Sequence, residues 1–290
     1  MVKNTTAMVI FAYNRTSSLE EVLNSIYDLR SISEVDIYIY SDGAKSEDEK
    51  EVFRVRKLIS SFEDLFHKII FREKNFGLKG NIVDGLGFIS KQYEAFIVIE
   101  DDILMSESSL QYALGSLKKF KTNKQIAHIN LWNYNIIDQN ASYLSNYLHC
   151  WGWASWSDRW KDDIFNDSYY LNMSLYDKLR VSKYLSTLHY SHLYANLHGI
   201  KNTWAIYWLS YNIVNAKKCL SPPFSLVKNI GYTSGENTEF YSYKQRSLDS
   251  KQASYSITSN FAPEIKSWVY MFFKTPKIKL IKTLFVIFFK

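Results

Sequence analysis

The first hundred residues alternate between short apolar runs and segments with helical spacing, and this pattern constrains the fold more than any other feature. Apolar runs of strand length cover residues 7–13, 35–40, 67–71 and 95–99. The segments between them are long enough to form helices. Strands separated by helices of this length predict βαβ units, and therefore a mostly parallel sheet flanked by helices.

Three helices are predicted between these strands. The first is expected to begin at Ser18, because Ser18-Leu19-Glu20-Glu21 has the pattern of a capping box. Its buried stripe is expected at the i, i+3, i+4 and i+7 positions Leu19, Val22, Leu23 and Ile26. The other two helices are expected over 47–62 and 78–91.

Length and composition fit one large α/β domain. A chain of 290 residues can bury a sizeable core, and 47% hydrophobic with 22% charged residues is a globular composition. The 17% of aromatic residues fits either sugar stacking or an aromatic-rich core. We expect a main domain over 1–265, with an irregular, tryptophan-rich second half, and a tail over 266–290.

Polar residues follow three of the predicted strands directly. They are Asn14-Arg15, Asp42-Gly43 and Glu100-Asp101-Asp102. Because ligands of such sheets bind at the carboxyl ends of the strands, we expect these residues to converge on one cleft.

Three consecutive carboxylates at Glu100, Asp101 and Asp102 repel one another unless a cation compensates their charge. A divalent ion such as Mn²⁺ or Mg²⁺ would do so, and it would leave coordination positions for phosphate oxygens. The alternative is a group of solvated acids at the start of the next helix. The position after a buried strand, beside two other polar strand ends, favours the metal.

An ordered set of motifs resembles the GT-A sugar transferases. The motifs are Phe11-Ala12-Tyr13-Asn14-Arg15, Ser41-Asp42-Gly43, Asn75-Phe76-Gly77-Leu78, Glu100-Asp101-Asp102-Ile103 and Trp151-Gly152-Trp153-Ala154-Ser155-Trp156. The chain is most similar to family 2-like bacterial glycosyltransferases of surface-polysaccharide pathways, and more distantly to N-acetylglucosaminyltransferase I. The resemblance spans about residues 7 to 240.

The resemblance implies roles for the strand-end residues. Arg15 would contact the nucleotide, with Tyr13 and Asn14 near it, and Asp42 would accept a hydrogen bond from uracil. Lys79 would belong to the same donor-binding set. Glu100 and Asp101 would hold the donor sugar, and Asp102 would ligate the metal. Taken singly, Arg15 and Asp42 could also be a surface charge and a turn residue.

The resemblance also implies an acceptor site at Trp151, Gly152 and Trp153. Gly152 allows a close approach of the backbone, and the indole rings beside it offer stacking faces. The alternative is a tryptophan cluster packed in the core. We favour the core for Trp156 and Trp160, which have i, i+4 spacing.

Ala205 departs from part of the family pattern. In the eukaryotic relative and in some bacterial ones an Asp follows the tryptophan equivalent to Trp204 and serves as the catalytic base. Another bacterial subgroup has Trp-Ala-Ile-x-Trp, as this chain does over 204–208. The substitutes considered for the base are Asp158 and Glu236.

The C-terminal segment is basic and apolar. No acidic residue follows Glu264, whereas six lysines alternate with aromatic and aliphatic residues. Its longest uncharged run, 283–289, is far shorter than the roughly 18 residues that a spanning helix needs. The tail is therefore either an anchor at an anionic membrane surface or a helix on the protein's own core.

The predicted location is cytoplasmic, at the inner face of the cell membrane. No secretory signal is recognised at the start of the chain. Two cysteines, Cys150 and Cys219, cannot form a framework of several disulfides, which favours a reducing compartment.

The predicted function is metal-assisted transfer of a hexose or N-acetylhexosamine from a UDP-sugar to a glycan or lipid-linked acceptor. One alternative is a sugar-nucleotide nucleotidyltransferase, although residues 13–18 lack the glycines of its phosphate loop. The other is a non-catalytic glycan-binding protein. Nucleic-acid binding is disfavoured, because the basic residues gather in the tail.

Overall fold

The central element of the fold is a nine-stranded sheet. The computed structural model describes residues 4–133, 141–146, 148–185, 187–231 and 257–258. Its strands are β1 (Thr6–Ala12), β2 (Asp36–Ser41), β3 (Lys68–Phe71), β4 (Ala95–Glu100), β5 (Ile103–Leu104), β6 (Ile126–Asn130), β7 (Ser142–Ser145), β8 (Trp153–Trp156), β9 (Lys218–Ser221), β10 (Lys228–Asn229) and β11 (Ile257–Thr258). The strand order is β11-β7-β9-β6-β8-β4-β1-β2-β3, and β5 and β10 form a separate pair.

Helices cover both faces of this sheet. They are α1 (Thr16–Tyr27), α2 (Glu49–Ser61), α3 (Gly77–Ile89), α4 (Glu107–Lys119), α5 (Asp167–Leu171), α6 (Leu175–Leu185), α7 (Thr187–Leu197) and α8 (Ala205–Val214). Alternate residues of β1 enter two separate cores: Met8 and Ile10 pack with α1, α2 and α4, and Ala7, Val9 and Phe11 with α3 and α8. β1 is thus buried on both faces, as a central parallel strand requires.

The predicted parallel pairing of the first four strands is confirmed. β1 lies between β2 and β4 and pairs in parallel with both, and β2 pairs in parallel with β3. The four strands begin and end within one residue of the predicted runs. The carboxyl ends of β1, β2 and β4 therefore lie at one edge of the sheet.

The second half of the chain extends the sheet in mixed directions. β8 runs antiparallel to β4, so that Trp153 pairs with Val98 and Trp156 pairs with Ala95. The chain thus enters β8 beside the acidic end of β4 and leaves it at the opposite edge. This reversal decides where the residues after Trp156 lie.

The predicted start of the first helix is wrong by two residues. α1 begins at Thr16, and Arg15 at its N-cap makes no side-chain cap bond. The buried stripe fixes the helix instead: Leu19, Val22 and Leu23 are fully buried, as is Ile26. A capping box occurs at α4, where the Ser106 side chain accepts from the Ser109 N–H.

Four tryptophans, Trp153, Trp160, Trp204 and Trp208, form a core cluster between the sheet and α8. Trp153 is fully buried, with its ring stacked on His128 and Trp204 at centroid distances of 5.0 and 5.4 Å. Trp156 and Trp160 are buried as well, as predicted. The aromatic content of the chain serves its core to a large extent.

His128 is a buried neutral imidazole within this cluster. Its Nδ1 accepts a hydrogen bond from Trp208 Nε1 at 3.1 Å, so that Nε2–H is left to donate to the carbonyl oxygen of His149 at 3.2 Å. Burial lowers the pKa of His128 to about 3. Between pH 6.5 and about pH 3, His128 is therefore neutral in the folded protein and protonated in the unfolded chain.

This pKa predicts a loss of stability in acid. As the pH falls below 6.5, the unfolded state takes up a proton at His128 while the folded state does so only near pH 3. Protonation of the unfolded chain at His128 should lower the free energy of unfolding by about 2 kcal/mol at pH 5. Above pH 6.5 this loss should be absent. In urea unfolding at pH 7.5 and pH 5, His128→Gln should show a smaller drop than wild type.

The exposed His198 provides the control for this experiment. His198→Gln makes the same substitution at an exposed side chain, and so tests whether the replacement itself alters folding. Equal drops in wild type and His128→Gln would contradict the assignment.

Candidate active site

A cleft of about 330 Å³ opens at the carboxyl ends of β1, β2 and β4. Its lining includes all three polar strand ends, as expected: Tyr13, Asn14, Arg15, Asp42, Glu100 and Asp101. The first turn of α3 forms another side, with Gly77 and Leu78. The parallel topology thus brings residues that are far apart in sequence into one cavity.

Arg15 bridges two of the three consecutive carboxylates. Its Nη1 is 2.8 Å from Asp102 Oδ2 and 3.6 Å from Asp101 Oδ1. Asp101 also accepts the backbone N–H of Tyr13 at 3.2 Å, which joins the end of β1 to the end of β4. The side chain of Arg15 is 54% exposed, whereas those of Asp101 and Asp102 are only 12% and 14% exposed. An exposed cation thus faces two largely buried anions.

The negative charges of Glu100, Asp101 and Asp102 are not fully compensated by Arg15. Burial, with the nearby carboxylates of Asp102 and Asp101, raises the pKa of Glu100 to about 8. Burial raises the pKa of Asp101 to about 6, although Arg15 opposes the shift. The pKa of Asp102 is raised for the same reason. Additional positive charge in the cleft would lower all three pKa values.

Asp42 is held rigidly by the backbone. Its Oδ1 accepts the N–H groups of Gly43 and Phe76 at 2.9 and 2.8 Å. Gly43 has no room for a side chain, since a Cβ there would overlap the backbone of Lys74 and Asn75. Asp42 is 4% exposed and lines the cleft. Its second oxygen, Oδ2, has no hydrogen-bond partner within the part of the chain that the structure describes.

Asp48 is a site residue that the sequence did not reveal. Its two carboxylate oxygens accept hydrogen bonds from the Tyr13 hydroxyl at 2.7 Å and from Asn14 Nδ2 at 2.8 Å. These bonds lower the pKa of Asp48. In sequence Asp48 is one acid among several at the start of a charged helix, so no local signal distinguishes it. The contact fixes the loop after β1 against the segment before α2.

Gly231 is a second residue that sequence reasoning missed. The Ile230 N–H donates to the carbonyl oxygen of Asp102 at 2.8 Å, and β10 pairs with β5 directly after Asp102. A Cβ on Gly231 would overlap Asp102 Oδ2. Glycine here lets the backbone lie directly against the carboxylate.

Two predicted site residues, Lys79 and Asp158, lie elsewhere. Lys79 Nζ is 3.8 Å from the ring centroid of Tyr207, between α3 and α8. Asp158 forms ion pairs with Lys124 and Arg159 beyond the end of β8. Asp158 therefore lies at the opposite ends of the strands, about 20 Å from the acidic cluster along the six residues of β4. Glu236 lies outside the described residues.

The tryptophan motif is divided between two environments. Trp151 is partly exposed, and its ring meets Trp132 edge to face at a centroid distance of 4.6 Å. Gly152 has a φ of +68°, and a Cβ there would be 3.4 Å from Ile103 Cγ2, next to Asp102. Trp153 is fully buried, so its predicted role as an acceptor contact is wrong. Trp151 precedes β8, and the positive φ of Gly152 breaks the extended backbone that would otherwise place residues two positions apart on one face.

Ala205 begins α8, after the buried Trp204 at its N-cap. The preceding segment approaches α3, where a Cβ on Gly77 would be 4.0 Å from Asn202 Nδ2. A carboxylate at position 205 would therefore stand on the α3 side of the molecule. Alanine supplies no base there.

The residues present fit a divalent cation. In the described part of the chain, no three or more His, Cys, Asp or Glu side chains are arranged so that they could hold a metal ion together. Asp101 and Asp102 are fixed oxygen donors already bridged by a cation, and their raised pKa values indicate that more positive charge would stabilise them. Asp102 remains the predicted ligand.

A mostly parallel α/β sheet with an acidic cleft at its strand ends defines a nucleotide-binding class of enzyme fold. The family model described as "Glycosyl transferase family 2" matches residues 8–172, more than half of the chain. The chain therefore belongs to glycosyl transferase family 2, and the predicted GT-A fold class is confirmed.

Solved structures with some similarity include glycosyltransferases of low sequence identity. Mannosyltransferase PcManGT from Pyrobaculum calidifontis, in complex with GDP-Man and Mn²⁺, is 13% identical over 53% of this chain and 45% of that chain, with a TM-score of 0.39. TarS 1-349 from S. aureus is 12% identical over 57% of this chain and 49% of that chain, with a TM-score of 0.41. The matched regions thus span about half of each solved chain. Among curated proteins no sequence match is found.

Proposed function

We propose that this glycosyltransferase moves a sugar from a UDP-sugar to a hydroxyl of a glycan or lipid-linked acceptor in cell-surface polysaccharide synthesis. The observation that carries the proposal is the pairing, in one cleft, of the open carboxylate oxygen of Asp42 with the Arg15, Asp101 and Asp102 cluster. Asp42 can accept a hydrogen bond from a nucleobase. Arg15, with a cation held by Asp101 and Asp102, can neutralise the charge of a diphosphate.

The side chains of the cleft divide the work of binding the donor. Asp42 accepts an N–H of the base, while Tyr13 and Asn14 are held beside it by Asp48. Arg15 is exposed enough to turn from Asp102 to the phosphates. Glu100 lines the cleft beside Asp101, so that its carboxyl group can form a hydrogen bond with a hydroxyl of the donor sugar. Each of these contacts positions the donor without covalent chemistry.

Asp102, with Asp101 beside it, would hold Mn²⁺ or Mg²⁺. Such an ion supplies charge neutralisation for a departing diphosphate. The base that deprotonates the acceptor hydroxyl is proposed to be Glu236, since Asp158 lies at the far edge of the sheet. Trp151, which is partly exposed, and Gly152, whose backbone lies close to Ile103, would form the acceptor wall beside Asp102.

The test is a panel of UDP-sugars, each measured for binding and slow hydrolysis with and without Mn²⁺. We expect metal-dependent cleavage of one sugar, with pyrophosphate release absent. Pyrophosphate formation from a nucleoside triphosphate and a sugar phosphate would instead identify a nucleotidyltransferase. Glycan binding without UDP affinity would identify a non-catalytic protein, the possibility that Ala205 keeps open.

The tail over 266–290 lies outside the described residues, and we propose that it binds an anionic membrane surface. No helix in the described ranges is long and apolar enough to cross a bilayer. Deletion of the residues after Lys266 should move the protein from the membrane fraction to the supernatant, because it removes five lysines and the apolar residues among them, which supply the attraction. Replacing only the lysines after Lys266 with Gln separates charge from apolar insertion. An unchanged distribution of the deletion variant would refute the anchor.

A further inference from the structure

Asn81 is a polar residue of the cleft to which no motif assigns a role. It lies on α3, is 3% exposed and lines the cavity beside Asp42. Its Oδ1 accepts a hydrogen bond from Arg72 Nε at 3.1 Å. A guanidinium has only donors, so the amide oxygen must face Arg72 and the amide nitrogen must point away from it.

Arg72 is itself fixed, which makes this orientation rigid. Its guanidinium carbon lies 4.9 Å from the ring centroid of Tyr40 and 4.6 Å from that of Phe76. A side-chain ion pair with Asp84 at 2.5 Å holds the outer end. The Asn81 amide therefore cannot reverse without breaking a hydrogen bond to a clamped donor.

The amide nitrogen of Asn81 is open to the cleft. Nδ2 has no hydrogen-bond partner among the described residues, and it is not among their fully enclosed unpaired atoms. Asp42 Oδ2 is the corresponding open acceptor. The two residues share one wall through Phe76, whose N–H donates to Asp42 and whose ring stacks on Arg72. The wall thus presents one acceptor and one donor.

We propose that Asn81 is a specificity-determining residue that donates its amide N–H to a carbonyl oxygen of the donor's nucleobase. The inference rests on the proposed function and extends it to the base. Uracil has an N–H flanked by carbonyl groups, which matches Asp42 and Asn81 together. Cytosine has a ring-nitrogen acceptor in place of that N–H, so a cytosine held in the same position loses the bond to Asp42. It keeps both contacts only if the base shifts to use its exocyclic amine.

The test compares UDP, CDP and GDP affinities of wild type and Asn81→Asp by titration calorimetry. Asp keeps an oxygen for Arg72 and replaces the donor with an acceptor. UDP affinity should fall roughly tenfold to a hundredfold, while CDP affinity falls less or rises, so that the UDP/CDP ratio collapses. An added negative charge alone would weaken all three nucleoside diphosphates equally, and the ratio therefore isolates reading of the base.

Each outcome decides between the proposals. Equal losses for UDP and CDP in Asn81→Asp would overturn the role of Asn81 and leave the proposed UDP-sugar transferase intact. A wild type that prefers GDP would overturn the UDP donor of the proposed function together with the role of Asn81. A wild type that binds no nucleoside diphosphate would overturn the proposed function as well. If Asn81→Asp fails to fold, Asn81→Ser keeps an oxygen near Arg72 and should weaken UDP binding with little effect on CDP. Asn172→Asp, on the exposed surface after α5, is the control for the substitution itself.

Discussion

Asp102→Asn is expected to reduce sugar transfer by roughly a hundred- to a thousandfold while the fold stays intact. Asn keeps an oxygen for Arg15 but removes one negative charge from the proposed cation site. Burial raises the pKa of Asp102, so the ionised carboxylate costs stability, and its removal should leave the free energy of unfolding equal or higher. Activity and urea unfolding of the same preparation measure both effects.

Two glycine variants control this experiment. Gly231→Ala places a Cβ against Asp102 Oδ2 and should also impair transfer, because the carboxylate or the backbone must move. Gly87→Ala, inside α3, meets no atom within 4 Å, and should be neutral or slightly stabilising. Full turnover by Asp102→Asn would refute the assignment, and the same loss in all three variants would indicate a general defect.

The sequence predicted the parallel half of the fold because its signals are local and repeated. The runs at β1 and β4 are apolar on both faces, and those at β2 and β3 contain only one or two polar residues. Each of the first three strands is followed by a helix that begins within a few residues of the expected position. Parallel pairing then places the strand ends at one edge without further information. The cleft formed by Asp42, Asp101 and their neighbours follows from this topology.

The second half could not be predicted in the same way. Nothing in Trp153-Ala154-Ser155-Trp156 indicates that β8 is antiparallel to β4, and that direction alone carries Asp158 to the far edge. Asp48 and Gly231 act through contacts with residues more than thirty positions away. Such contacts have no signature in a single sequence, since the partner is brought close only by the complete sheet.

The tryptophans show that the local path of the backbone, rather than residue type, decides the role of a side chain. Trp151 and Trp153 belong to the same motif and differ by two positions, yet one is partly exposed beside Trp132 and the other is enclosed by His128 and Trp204. A stacking face for a sugar must be open on one side. Of the two, only Trp151 meets this condition. Substitution of Trp151 and substitution of Trp153 are therefore expected to have different effects.

Trp153→Ala is expected to lower the free energy of unfolding by about 3–5 kcal/mol, because it leaves a large cavity among rings that cannot collapse into it. Trp151→Ala should cost about 1 kcal/mol, the loss of one edge-to-face contact, and should raise the acceptor KM while leaving UDP affinity unchanged. Urea unfolding, acceptor kinetics and UDP titration of both variants test the pair. A large stability loss in Trp151→Ala, with acceptor KM unchanged, would place both tryptophans in the core and require another acceptor wall.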